Sequence, residues 1–188
     1  MKSKWDSRYR ESNIGDSAPA SVLQNNAHLL PENGLALDLA CGLGANAIFL
    51  AQKGLMVSAW DISEVAIEKL KVFAGSSHLD ITPEVYDVEA LLPPMNSFDV
   101  IVVSYFLNRE LAVPLMAALK TGGLLFYQTY TRTKITDSGP SNPDFLLAEN
   151  ELLTMFSSLR VIHYRDEARV GDLGSGFRNE AMLIAQKP

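Results

Sequence analysis

Leu37-Asp38-Leu39-Ala40-Cys41-Gly42-Leu43-Gly44 is an apolar, strand-like run that passes directly into a glycine turn and carries one acid inside it. Seventeen residues past Gly44 a second acid, Asp61, closes another such run, Leu55-Met56-Val57-Ser58-Ala59-Trp60-Asp61. Between the two, Ala45 to about Lys53 reads as a helix with Gly54 just beyond its end, the place where helices favour glycine. Strand, glycine turn, helix, strand and terminal acid make the front half of an α/β fold that binds nucleoside ligands.

Downstream, Ser63 is placed to cap a helix through Val65, Ile67, Leu70 and Phe73. A strand over Ile81–Tyr86 follows, and Pro93-Pro94 marks the next loop. Phe98–Ser104 is continuously apolar, as a strand covered on both faces should be. A helix within 108–119 is expected to begin late, with Pro114 in its first turn. Thr121-Gly122-Gly123 then turns into a strand over Leu124–Thr129. The polar stretch 130–145 reads as a long loop, and long loops in compact domains are often functional. After a helix over Glu149–Phe156, the β-like runs Leu159–Arg165 and Phe177–Gln186 meet without an intervening helix, so they should pair antiparallel. Upstream, residues 4–12 suggest a short amphipathic helix with Trp5 and Tyr9 on one face, and 18–30 a second helix ending near Pro31.

Bulk properties set the frame. A chain of 188 residues without repeats or linkers suits one domain, 1–188, with residues 1–30 as an N-terminal helical region. Sixteen basic against twenty-two acidic residues give a formal charge of −6, which offers phosphate backbones no general attraction. Cys41 is the only cysteine, so no intrachain disulfide forms; that and the charged N-terminus fit a cytoplasmic protein. No apolar stretch approaches the roughly 20 residues that span a bilayer.

The ligand is the harder matter. Gly42-Leu43-Gly44-Ala45-Asn46-Ala47 fits the G-x-G-x-x-G/A fingerprint that brings backbone amides against a pyrophosphate. Asp38 opposes that reading, because a carboxylate beside a pyrophosphate repels it. It suits a ligand with an ammonium and a sulfonium, and S-adenosylmethionine has both. Asp87, just past the third strand, can accept from an adenine amine while the Val88 amide donates to a ring nitrogen and Ile62 packs on the ring face. Three acids at the carboxyl ends of three successive strands obey the rule for ligand placement in open α/β sheets.

Taken in order, the Asp38–Gly44 run, Asp61, Tyr86-Asp87-Val88, Phe98-Asp99-Val100-Ile101-Val102-Val103 and Lys120-Thr121-Gly122-Gly123 resemble the successive motifs of the class I S-adenosylmethionine-dependent methyltransferases. The resemblance implies an α/β Rossmann-like fold with helices on both faces and a seven-stranded, mostly parallel sheet ordered 3-2-1-4-5-7-6, strand 7 antiparallel. Trp5-Asp6-x-x-Tyr9, Ala59-Trp60-Asp61 and the short chain are similar to the small bacterial tellurite-resistance-type methyltransferases. Carried over, Asp61 would hold the ribose, Asp87 and Val88 the adenine with Ile62, and Gly42 and Gly44 the methionine end. Asp38, Ala40, Asn46 and Ser104 would complete that end, and Trp5 and Tyr9 would close as a lid; the same aromatic pair would serve equally well as core packing.

The remaining residues carry less. No base accompanies Cys41, and His28, His78 and His163 lack metal-ligand spacing, so neither a nucleophile nor a metal site is expected. Met95 and Met116 read as core fillers, and Arg132, Arg165, Arg169 and Arg178 as surface residues of which some could meet an acceptor. The acceptor should lie near Ser104–Asn108 and Tyr130–Arg132. Ser104-Tyr105-Phe106-Leu107 lacks the Asp/Asn-Pro-Pro-Tyr/Phe run of base-amino methyltransferases, which with the negative charge makes a nucleic-acid substrate unexpected. A small-molecule acceptor is expected: a thiol, a metalloid oxyanion, or an aromatic hydroxyl or amine. S-adenosylhomocysteine would be the product. A nicotinamide (NAD)-dependent oxidoreductase and a non-catalytic S-adenosylmethionine-binding regulatory protein are the alternatives.

Overall fold

Alternating side-chain direction along the apolar runs builds two cores, one on each face of a sheet. In the computed structural model, which describes residues 2–188, these runs form β1 (Leu35–Leu39), β2 (Met56–Asp61), β3 (Ile81–Val85), β4 (Phe98–Ser104), β5 (Leu119–Tyr130), β6 (Arg160–Arg165) and β7 (Glu180–Gln186). They make one seven-stranded sheet in the order β3-β2-β1-β4-β5-β7-β6. Pairing is parallel from β3 through β5, and β7 runs antiparallel to both β5 and β6. The α/β class, the strand order and the antiparallel seventh strand match the sequence expectation.

On one face Ala36, Val57, Ala59, Val100, Val102, Phe126, Met182 and Ile184 pack with α2 (Ser21–Gln24), α3 (Ala45–Gln52) and α4 (Glu64–Ser77). On the other, Leu37, Leu39, Ile101, Val103, Leu125, Tyr127 and Leu183 pack with α5 (Ala112–Ala118) and α6 (Glu151–Met155). Val100 to Val103 are all fully buried, so the unbroken apolar run of β4 has its physical reason in two covered faces. The Ser63 hydroxyl accepts from the Ala66 amide and caps α4 as expected. Pro114 sits in the first turn of α5, where its missing N–H costs no hydrogen bond.

Three boundaries differ from expectation. The helix foreseen over 18–30 is only α2 and a 3-10 turn at Ala27–Leu29. There the Asn26 side-chain amide takes the Val22 carbonyl, and the Ala20 and Val22 amides donate to Asn46 and Gln128, diverting backbone groups from a longer helix. β5 begins before Thr121-Gly122-Gly123, which forms an irregularity within the strand where the register against β4 shifts. A Cβ at Gly123 would lie 2.9 Å from the Lys120 carbonyl oxygen, so the close approach needs glycine. β7 starts three residues late because Phe177 donates its amide to Glu167 and Asn179 turns into the left-handed region at φ 65°.

The stretch 131–145 is a self-bonded loop. Lys134 donates to the Ser138 and Pro140 carbonyls, and the Asn179 side-chain oxygen accepts from the Ile135 and Thr136 amides. Among the described residues no helix is long and apolar enough to cross a membrane.

Candidate active site

The carboxyl ends of β1, β2, β4 and β5 meet the start of α3 at one edge of the sheet. After Leu39 the chain takes left-handed conformations at Ala40 (φ 58°), Gly42 (φ 54°) and Gly44 (φ 79°), the last of which precedes α3. A Cβ at Gly44 would lie 2.5 Å from the Leu70 side chain, so this position needs glycine for its dihedral and for space.

Two buried acids brace the turn. Asp38 is fully buried and accepts from the Ala47 amide at 2.9 Å and the Asn46 side-chain amide at 3.4 Å. Burial pushes its pKa up to about 7, against the pull of those two hydrogen bonds. Asp61 reaches across from β2, accepting from the Gly42 amide at 2.8 Å with one oxygen and the Ser63 amide at 2.8 Å with the other. Its pKa is likewise raised by burial, and neither acid has an ion-pair partner among the described residues. Burial, aided by these two carboxylates, also drives the Cys41 thiol upward, away from a nucleophilic thiolate.

Asn46 joins the turn to its surroundings. Its amide nitrogen donates to Ser104 Oγ at 2.8 Å, and its oxygen accepts from the Ala20 amide. The structure thus brings Asp38, Gly42, Asn46, Asp61 and Ser104 into one bonded cluster.

A lid covers it. Helix α1 (Lys2–Arg10) has no buried residue, yet Tyr9 lies over the glycine turn, where a Cβ at Gly42 would be 2.6 Å from the tyrosine hydroxyl. Burial and the charge of Asp61 raise the Tyr9 pKa, so the phenol stays protonated. Trp5 stacks on Tyr9 with ring centroids 5.8 Å apart. Asp6 accepts from Ser63 Oγ at 2.6 Å, and Lys69 donates to the carbonyls of Tyr9, Arg10 and Ser12 at 2.8, 3.1 and 2.6 Å. Sequence reasoning passed over both anchors; Asp6 stood within the quoted Trp5–Tyr9 run.

The expected adenine residues stand apart from this cluster. Asp87 is exposed beyond β3, where one carboxylate oxygen accepts from the Glu89 amide and the other has no partner among the described residues. Val88 is buried in the core on the α5 and α6 face, and Ile62 is half-buried between Asp61 and Ser63. Behind them Trp60 stacks on Tyr86 at 4.1 Å, its indole Nε1 buried without a partner.

Three of the four arginines considered from sequence are engaged within the protein. Arg178 donates to carbonyls of Glu167, Ala168, Asp172 and Ser175; Arg165 pairs with Glu167; Arg169 donates to the Lys134 carbonyl. Arg109, not considered earlier, ties the end of β4 to α6 by a fork onto Glu151. No group of three or more His, Cys, Asp or Glu side chains able to hold a metal occurs among the described residues.

Residues 36–123 match the methyltransferase domain family model, and the sheet order, glycine turn and paired strand-end acids agree with the class I S-adenosylmethionine-dependent methyltransferases. Within that class the chain resembles TehB. It is 32% identical over 139 residues to the probable S-adenosyl-L-methionine-dependent methyltransferase TehB of Haemophilus influenzae, covering 69% of this chain and 47% of that protein. The crystal structure of Haemophilus influenzae TehB superposes with a TM-score of 0.71 at 24% identity, covering 98% of this chain and 67% of that one. A ubiquinone biosynthesis O-methyltransferase of Coxiella burnetii is 32% identical over 101 residues, covering 51% of this chain and 43% of the relative. The chain therefore spans about half the length of the curated relatives it matches.

Proposed function

We propose that residues 1–188 act as one methyltransferase domain that binds S-adenosylmethionine under α1 and transfers its methyl group to a small-molecule acceptor by in-line displacement. The observation that carries this reading is the pair of buried acids, Asp38 and Asp61, flanking the left-handed glycine turn without an ion-pair partner among the described residues. Such a site disfavours a pyrophosphate and favours a ligand with an ammonium at one end and ribose hydroxyls at the other.

Asp38 would hold the ammonium, Asp61 the ribose hydroxyls, and the open oxygen of Asp87 the adenine amine, with Ile62 against the ring and the Val88 amide on its edge. Gly42 and Gly44 keep the backbone low enough for the methionine portion, beside Ala40, Asn46 and Ser104. Trp5 and Tyr9 exclude water above it. Bound S-adenosylmethionine would supply an electrophilic methyl group on a sulfonium; the chain's task is to align the acceptor with it, a positioning effect.

Calorimetric titration with S-adenosylmethionine, S-adenosylhomocysteine and NADH tests this directly. Micromolar binding of the first two and none of NADH is expected; NADH binding alone would revive the oxidoreductase. Fold membership cannot decide between enzyme and cofactor-holding regulator, so an acceptor must also be turned over.

The lid makes a separate prediction. Deleting residues 2–12 should leave the domain folded, because α1 buries no residue, while S-adenosylmethionine affinity falls by about 1 kcal/mol, the worth of an aromatic contact. Thermal melting and calorimetry on the truncated protein check the two halves, and an unchanged Kd would reduce Trp5 and Tyr9 to surface packing.

A further inference from the structure

Beyond Ser104, which borders the methionine end, the same edge of the sheet carries a second polar group, Gln128, Tyr130 and Glu180, that cofactor binding does not use. Residues Ser104, Gln128, Tyr130 and Glu180 project from β4, β5 and β7 toward the α3 side, Ser104 paired with Gln128 and Tyr130 with Glu180 in the strand register. Two strand spacings, about 10 Å, separate the ends of β4 and β7. The buried Gln128 amide has only one possible orientation. Its oxygen accepts from the Val22 amide at 2.7 Å and from Ser21 Oγ, so its nitrogen must face Tyr105 Oη at 3.2 Å and Glu180 Oε2 at 2.6 Å.

The Gln128 amide nitrogen therefore holds a tyrosine hydroxyl and a carboxylate oxygen side by side. Tyr105 sits in the left-handed region at φ 55°, a strained backbone for a bulky residue, and the residue is 47% exposed. The Tyr105 and Tyr130 rings lie 5.3 Å apart at 41°, forming two walls. Glu180 is half-buried and has no ion-pair partner among the described residues. Burial raises its pKa, against hydrogen bonds from Gln128 and Tyr105.

We propose that Tyr105, Tyr130 and Glu180 form the acceptor subsite, that it takes an aromatic hydroxyl or amine, and that Glu180 accepts the proton the acceptor loses. This rests on the methyltransferase reading above and specifies its substrate class. The acceptor oxygen or nitrogen forms the bond to the methyl carbon, the carbon–sulfur bond breaks with its electron pair going to sulfur, and the acceptor proton goes to the Glu180 carboxylate. The sulfonium charge and the carboxylate charge cancel, so the products of the step are neutral. A metalloid oxyanion fits poorly, because it would face an uncompensated carboxylate. Two cations bear on the Tyr130 wall, Arg8 from α1, which faces Trp5, and Lys134 over the Tyr130 ring. Lys134 is already bonded to two loop carbonyls, and Arg165 and Arg178 are bound up with Glu167.

The test uses wild type, Glu180→Gln and Tyr105→Phe, with catechol, tyramine and 4-aminophenol as aromatic acceptors, sodium selenite as the oxyanion and 2-mercaptoethanol as the thiol. All three proteins should bind S-adenosylmethionine with equal Kd and melt within a few degrees of one another. Wild type should methylate at least one aromatic acceptor. Glu180→Gln should lower kcat for it by about 100-fold, the usual reach of a general base, with KM changed far less. Binding of that acceptor to the S-adenosylhomocysteine complex should weaken in Tyr105→Phe. Selenite or the thiol turned over in place of the aromatics, no turnover of any aromatic by a protein that binds S-adenosylmethionine, or full activity in Glu180→Gln would each overturn the proposal. Failure of wild type to bind S-adenosylmethionine would instead strike the methyltransferase reading itself.

Discussion

Asp61→Ala should weaken S-adenosylmethionine binding by about 3 kcal/mol, roughly 150-fold in Kd. The carboxylate is 6% exposed and already fixed by two amides, one from the glycine turn and one from the start of α4, so it reaches a ligand without losing rotamer freedom. Each oxygen keeps a lone pair for a ribose hydroxyl, and hydrogen bonds to an ionised acceptor exceed neutral ones. Removing the side chain also strands the Gly42 and Ser63 amides, so thermal stability should fall together with affinity. Ser63→Ala separates the two effects. It deletes the cap of α4 and the bond to Asp6, costing about 1 kcal/mol of stability, but leaves the ribose acceptor in place. Calorimetry on both variants decides: a Kd shift as large in Ser63→Ala as in Asp61→Ala would mean that Asp61 acts only by holding the loop.

The residues behind this prediction were legible because their constraints are local. Left-handed φ at Gly42 and Gly44 demands glycine, and an acid that ends an apolar run must sit at the carboxyl edge of a sheet. Strand order and the antiparallel seventh strand followed from the family resemblance of the motif series, and the antiparallel pairing of the last two strands from two runs without a helix between them. What stayed hidden depends on partners far away in the chain. Asp6 meets Ser63 across 57 residues and Lys69 meets Tyr9 across 60, and neither pairing leaves a local pattern. Glu180 read only as an interior residue of the strand expected over Phe177–Gln186, because its partner Gln128 is 52 residues away. The overlong helix over 18–30 failed for the same reason: Asn46 and Gln128, distant in sequence, take amides from that segment. Asp87 was found as a strand-end acid, but not that one of its oxygens would be held by the Glu89 amide.

Asp38 should tie cofactor affinity to pH. In the free protein burial holds its pKa at about 7, whereas in the unfolded chain the carboxyl ionises near the ordinary aspartate value of 3.8. Between those values the native state binds the extra proton. Its contribution to stability is therefore full below about pH 4 and is lost as pH rises through 7. An ammonium beside the carboxylate reverses the preference, because an opposite charge favours the ionised form. Binding of S-adenosylmethionine should then release a proton from Asp38, and Kd should tighten with pH by up to about tenfold per unit from 5.5 to 7, flattening above. Titration in phosphate and in Tris, whose ionisation enthalpies differ, counts the protons released. Asp61, also raised and close by, could contribute to the same slope. Asp38→Asn isolates the Asp38 share: it keeps an acceptor for the Ala47 amide but cannot ionise, so affinity should drop and most of the pH slope vanish. A Kd that is flat from pH 5.5 to 7.5 in the wild type, with no proton released, would mean that Asp38 meets no ammonium and serves only to join β1 to α3.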